Sequence, residues 1–381
     1  MPALLLVVAT FTLGYGSVFA LLAVIRERFG FDDWAIVLIG AAGFAAGFFA
    51  QAFLSRFADR GHLRTLLGGG IGMALLGLAG MIAAERLWEF VAARVLLGLG
   101  AGSVGPAVRR IALTRDPRRA GQTLGWVGVF EIGGFLLGPL MASLLDRLWG
   151  LRAPFVALVA LLATVAPLAL AVELPTGAVS RERNVLRGLL ARRPVRASLL
   201  AGPAFYLTVG VFEANWAILL ADRGASQLFI GATLSLFSAP MLLVSPFAGR
   251  LAQRIGPLSV MLPSIGVAIV CMMAYGAFQD LALLAVFVAL HSIADAFTMP
   301  ASQLAIARAG PPEQIASGQG LLGAVGLATA AITAALSGWV YGVWGPLALY
   351  SGTAALMTAL LAGAWALGGE LRSGAGESGS V

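Results

Sequence analysis

Residues 34–64 read WAIVLIGAAGFAAGFFAQAFLSRFADRGHLR. From Trp34 to Ser55 the stretch holds no charged side chain, and then Arg56, Asp59, Arg60 and Arg64 fall within a few residues of one another. An α-helix of about 22 residues rises roughly 33 Å at about 1.5 Å per residue, which matches the hydrocarbon thickness of a bilayer. The stretch is therefore a membrane span closed by a compact charged loop.

The same pattern recurs outward in both directions. Apolar spans are expected at Ala3 to Ile25, Trp34 to Ser55, Thr65 to Ala84, Trp88 to Ala112, Gly121 to Leu145 and Ala153 to Val172. Six more are expected at Ser198 to Leu220, Leu228 to Gly249, Leu258 to Phe278, Leu281 to Ala305, Ala316 to Gly338 and Pro346 to Gly368. The fold class is an all-α membrane protein of twelve transmembrane helices. The first span lacks a basic n-region and is too long for a signal peptide, so it is expected to stay in the mature chain.

Composition agrees. Of 381 residues, 59% are hydrophobic and 11% charged, and the mean hydropathy is +0.91, whereas soluble domains carry about 25% charged residues. The net charge of +7 is spread between apolar spans instead of lining a groove, so no nucleic-acid partner is expected. There is no lysine, which removes the P-loop lysine of nucleotide-driven pumps, and the lone Cys271 excludes a disulfide or a multi-cysteine metal cluster. With only His62 and His291, neither a metal site nor a histidine-dependent hydrolase is expected, and the chain is read as no enzyme and as needing no cofactor. Gly318-Gln-Gly320-Leu-Leu-Gly323 matches the dinucleotide fingerprint by letter, but no strand precedes it.

Eighteen of the 25 basic residues, Arg181 and Arg183 among them, fall in the loops after even-numbered helices and in the tail, against six in the opposite loops. The positive-inside bias then places both termini in the cytoplasm, in a bacterial inner membrane.

The chain is internally repeated. Gly121-Gln122 and Gly318-Gln319, and Phe90-Val91-Ala92 and Phe287-Val288-Ala289, lie 197 residues apart, while Trp149-Gly150 and Trp344-Gly345 lie 195 apart. A duplicated six-helix unit accounts for the spacing. The expected division is 1–172 and 198–368, with a cytoplasmic linker at 173–197 and a disordered tail at 369–381. In the linker, Val185, Leu186, Leu189 and Leu190 fit either a short helix lying on anionic lipid or a solvated loop.

These features resemble the major facilitator superfamily, and particularly its drug-proton antiporter branch, over the whole chain. Asp59, Arg60 and Arg64 match the signature loop after the second helix, with Ser55 and His62 in place of two usual glycines; Gln253 and Arg254 stand at the pseudo-copy, where an acid is common. Arg94 followed by Gly98, Gly100 and Gly102 resembles the arginine-glycine motif of the fourth helix. Gly134, Gly138 and Pro139 resemble the antiporter motif of the fifth, with Ala142 and Ser143 at its terminal glycines. The resemblance implies that Asp59 locks one gate by pairing with nearby positive charge, near Arg109 or Arg110, and with the start of the eleventh helix. It implies also that the first, fourth, seventh and tenth helices line a central cavity. The glycines read equally well as membrane packing.

Arg94, Glu131, Glu213 and Asp295 lie inside predicted spans, where each costs about 2.5–3.5 kcal/mol to insert. The set holds three carboxylates against one arginine, so a cavity formed by it is expected to be net negative. Arg94 and Asp295 read either as functional groups or as a structural ion pair. His291 stands one turn before Asp295, as a hydrogen-bonding residue or as one that tunes it. The first helix offers only Thr10, Thr12, Tyr15 and Ser17 where the resemblance implies an acid. Aromatic residues, Trp216 foremost, are expected to face a lipophilic cation. The sequence reading is a monomeric secondary transporter surrounded by membrane lipid, exporting a small amphiphilic molecule against protons, with proton coupling on Glu213 or Asp295. Nutrient transport by the same fold, or a membrane sensor, are the other readings.

Overall fold

In the computed structural model, residues 1–174, 180, 182 and 184–372 are described. The helices are α1 (Pro2–Phe29), α2 (Trp34–Asp59), α3 (Leu63–Ala83), α4 (Leu87–Arg115), α5 (Ala120–Trp149) and α6 (Ala153–Leu170). They continue with α7 (Arg193–Asp222), α8 (Gln227–Ile255), α9 (Pro257–Ala277) and α10 (Leu281–Ala309), and then one unbroken helical stretch, Ile315–Leu367. Gly345, at φ 79° and ψ 176°, splits that last stretch into α11 (315–344) and α12 (346–367). This backbone conformation is essentially restricted to glycine. Twelve spans result among the described residues, and several helices run past their expected ends, α4 to Arg115 where Ala112 was expected.

The helix starts are written locally. Asp280 accepts a hydrogen bond from the Leu283 amide (2.7 Å) at the start of α10, and Ser226 accepts one from Phe229 (3.2 Å) at α8. Proline occupies the first turn of α1, α6, α7 and α9, where its missing amide hydrogen costs nothing. Inside α2, residues Ala50–Leu54 form a π-helical turn, immediately before the charged loop.

The chain divides into two compact units. The first comprises Met1–Asp116, Val129–Val185 and Glu313–Ala324. In it α4 packs on α2 and α3, and α6 on α1 and α3. A Cβ on Gly98 or Gly102 of α4 would overlap the carbonyls of Gly43 and Gly47 on α2, and one on Gly100 the Gly70 carbonyl of α3. Gly138 of α5 lies against Leu13 and Gly16 of α1, where Ser17 Oγ donates to the Gly138 carbonyl (3.1 Å). Backbones this close exchange dispersion contacts that larger side chains would prevent.

The second unit comprises Pro117–Gly128, Leu186–Pro312 and Val325–Val381. Here α10 packs on α7, α8 and α9. Gly210 of α7 meets the Ala330 carbonyl of α11, and Gly276 of α9 meets Leu347 and Tyr350 of α12. Gly121 at the start of α5 lies backbone to backbone with Gly249 of α8.

Two expectations change. A short helix, Val185–Ala191, does form in the linker, but Val185 and Leu189 are buried against protein and only Leu190 of the four apolar residues is strongly exposed. Leu189 packs on Gly310, which gives it a protein partner in place of lipid. Of the tail, Gly369–Arg372 is a 3₁₀ turn with Leu371 buried and the Arg372 carbonyl accepting from Ser259 Oγ (2.8 Å). Residues 373–381, like Arg181 and Arg183, lie outside the described residues.

Candidate functional site

The ionisable groups that the sequence singles out fall into three settings in the first unit. At the end of α2, the Asp59 carboxylate is wholly buried and saturated. Oδ1 pairs with Arg110 of α4 and accepts from the Ala316 amide (3.0 Å); Oδ2 accepts from the Ser317 amide (2.7 Å) and hydroxyl (2.6 Å). Ala316 and Ser317 open α11, so the carboxylate caps amides that a helix start leaves without partners. The Asp59 carbonyl also accepts from the Ser180 amide (2.9 Å), and Arg60 donates to the Glu182 carbonyl (3.2 Å). Arg64 is exposed. Gly320 and Gly323, one turn further along, have no room for a Cβ because Gln51 of the π-helical turn lies on them. That contact explains their spacing in the letter-match to the dinucleotide fingerprint.

The second setting is Arg94, with no exposed surface. Its Nε donates to the Ile39 carbonyl (3.2 Å) and Nη2 to the Gly40 carbonyl (3.4 Å) of α2, while its guanidinium lies over the rings of Tyr15 (4.8 Å) and Phe19 (5.6 Å) of α1. Nη1 has no hydrogen-bond partner among the described residues. Where the resemblance implies an acid on α1, aromatic faces carry the negative potential instead, each worth about 0.5–2 kcal/mol to a desolvated cation. Within the first unit carbonyls and rings hold the Arg94 guanidinium, and within the second Asp295 faces His291.

Third, Glu131 of α5 pairs with Arg109 of α4 at 2.5 Å, both partly exposed. The expected tally of three buried carboxylates against one arginine is therefore corrected. Glu131 has its own guanidinium, because Arg109 lies on α4 within reach of α5 and belongs in the tally. Gly134 and Gly138 pack on α1, whereas Glu131 turns to α4. Pro139 sits inside α5 against Gly16.

In the second unit Gln253 of α8 sits at the position corresponding to Asp59. Its Oε1 accepts from the Gly121 amide (2.8 Å), its Nε2 donates to the Pro117 carbonyl (2.7 Å), and Arg308 donates to its backbone carbonyl (3.0 Å). A neutral side chain thus clasps the start of α5 as Asp59 clasps the start of α11. Arg254 beside it is exposed.

At the middle of α10, His291 and Asp295 are buried one turn apart, with Nε2 and Oδ2 facing at 3.6 Å. That separation is too long for a hydrogen bond, and neither atom has another partner among the described residues. His291 Nδ1 is 3.1 Å from the Tyr275 hydroxyl of α9. Phe237 of α8 stands edge-on to the imidazole (5.6 Å between centroids). Trp216 is fully buried and stacked on Phe212 (4.9 Å), with its indole N–H on Thr233 (3.0 Å). It therefore belongs to the packing around this cluster and presents no open stacking surface. Glu213 is exposed and joins none of these groups.

Tyr275 was not legible from sequence as a partner of His291. The one signal is scarcity, since the chain has five tyrosines and two histidines and places two of the seven against each other at membrane depth. Among the described residues no group of three or more His, Cys, Asp or Glu side chains is arranged to hold a metal.

The chain matches the family model of the Major Facilitator Superfamily over residues 4–218 and again over 198–378. It is 30% identical over 276 residues to the multidrug resistance protein MdtG of Dickeya zeae, a match that takes in 67% of this chain and 65% of that protein's length. Its structure resembles that of the human organic anion transporter MFSD10 (TM-score 0.74, 18% identity, 95% of this chain and 98% of that one). It also resembles the E. coli fucose:proton symporter FucP (TM-score 0.75, 16% identity, 96% and 98%). The two matches of one family model to successive halves agree with the repeat seen in the residues, and the chain belongs to the Major Facilitator Superfamily.

Proposed function

We propose that this multi-pass membrane protein is a secondary active transporter that exports a small amphiphilic molecule in exchange for protons. The observation that carries the reading is the His291–Asp295 cluster: a buried carboxylate at the centre of an apolar helix, whose Oδ2 faces the imidazole at 3.6 Å and has no hydrogen-bond partner among the described residues. A carboxylate buried in that way is costly, and a purely structural bundle gains nothing from it. A group that takes up and releases a proton during each cycle gives the cost a purpose. Similarity to a protein named for multidrug resistance supports amphiphilic cargo, and the large apolar side chains exposed along the helices suit a chain surrounded by lipid. In this reading the protein works as a monomer in the bacterial inner membrane with both termini cytoplasmic, each six-helix half forming one of its two domains. The Asp59 and Gln253 clasps hold one gate closed in one state of the cycle.

Ethidium is a suitable probe. Purified protein in sealed liposomes is expected to move ethidium against its gradient when a pH gradient is imposed, and to stop when the gradient is collapsed. Asp295→Asn is expected to abolish the coupled flux while the protein remains folded and inserted, and Glu213→Gln tests the second candidate carboxylate in the same assay. Wild-type flux in the Asp295 and Glu213 variants together would show that these carboxylates are structural.

A further inference from the structure

His291 meets a phenol on one ring nitrogen and a carboxylate on the other. The Tyr275 hydroxyl is hydrogen-bonded to His291 Nδ1. A phenol can donate to Nδ1 or accept from it; the carboxylate that faces Nε2 favours the ring proton there, and the Tyr275 O–H then donates to the unprotonated Nδ1. Nε2 is the atom facing the Asp295 carboxylate. The resting arrangement is therefore Tyr–O–H donating to Nδ1, and Nε2–H directed at a carboxylate across a gap that a side-chain shift of under about 1 Å closes.

We propose that His291 and Asp295 form a proton-loading pair in which uptake of a proton is registered as a change of histidine tautomer, with the ring neutral before and after. In the loading step Tyr275 gives its proton to Nδ1 as Nε2–H passes its own to Asp295 Oδ2, and the Tyr275 oxygen is reprotonated from solvent hydronium. The net change is one hydronium and one carboxylate converted to one water and one carboxylic acid. The product is Nδ1–H donating to Tyr275 with the new Asp295 O–H donating to Nε2. Both hydrogen bonds reverse, and the cluster goes from one negative charge to none.

The surroundings suit this path. The titratable groups around the pair are Cys271 and Tyr275 from α9 and Tyr350 from α12, while α7 and α8 contribute Trp216 and Phe237. Tyr350 meets Tyr275 edge-on at 5.8 Å, and its buried hydroxyl has no partner among the described residues. Beyond it, at the end of α7, Arg223 donates to the Tyr275 carbonyl (2.7 Å), and Tyr341 donates to the exposed Asp222 (2.6 Å). Tyr275 relays the proton to Nδ1 and, through the same hydrogen bond, helps set which imidazole nitrogen carries the hydrogen.

That the proton serves export rests on the function proposed above; the tautomer exchange does not, and its test needs no substrate. The chain has two histidines, so His62→Gln leaves His291 as the single histidine of the full-length protein. Nitrogen-15 NMR of histidine-labelled protein in lipid then reads both ring nitrogens across pH. The expected result is Nε2–H at high pH and complete exchange to Nδ1–H at low pH, with no doubly protonated ring at any pH where the protein is folded. Asp295→Asn is expected to abolish the exchange, and Tyr275→Phe to abolish the preference for Nε2–H at high pH. An imidazolium at low pH, or one tautomer at every pH in the His62→Gln protein, overturns the proposal without any variant at the site. Tautomer exchange in a protein that moves no ethidium would leave the proton pair standing and overturn the export reading.

Discussion

At the scale of single residues the two clasps are chemically unequal. Asp59 is a charge held by a guanidinium and by three donors at the start of α11; Gln253 is a neutral amide that donates once and accepts once at the start of α5. Asp59→Asn removes the charge that pairs with the buried Arg110 guanidinium, and losing one partner of a buried pair costs about 3–5 kcal/mol, whereas Gln253→Ala removes two hydrogen bonds worth about 1 kcal/mol each. The Asp59 variant is therefore expected to move the conformational equilibrium by at least about 100-fold away from the clasped state, and the Gln253 variant by about tenfold or somewhat more. Maleimide labelling of single cysteines placed at either helix end, in a Cys271→Ala background, reads both shifts; equal labelling of wild type and Asp59→Asn would remove the clasp from the mechanism. The charges of this region were legible in the sequence because they interrupt apolar runs. The partners of Glu131 and Gln253 were not, because each lies on another helix, and which face of α4 or α5 turns inward depends on glycine contacts that spacing alone does not orient.

Elements were read more completely than sites, since a span announces itself by about 20 apolar residues whatever its neighbours. Their ends were placed short. Apolar periodicity stops where the lipid stops, but the hydrogen-bonded ladder of α4 continues to Arg115. The boundary between α11 and α12 tests the opposite case, a break with almost no loop. Gly345→Ala places a Cβ in a conformation that costs about 1–3 kcal/mol outside glycine, and should lower the melting temperature in detergent. Gly352→Ala, in open space on α12, is the matched control and should leave it unchanged or slightly raised. Equal melting temperatures for the two variants would mean that α11 and α12 form one continuous helix in the protein.

For the whole molecule, the arginine asymmetry predicts that reporters fused at Val381 and after Arg183 both read cytoplasmic, the orientation in which Asp222 and Tyr341 face the outside. An external signal from either would overturn that orientation. Unit composition carries a separate consequence. A polypeptide ending at residue 172 keeps Asp59 and Arg110 yet lacks Ala316 and Ser317, and one beginning at 198 keeps Gln253 yet lacks Gly121 and Pro117. If the gene is split at the linker, neither product can complete its own clasp, so each alone is expected to be a substrate for membrane proteases, while co-expression of the two restores accumulation of both.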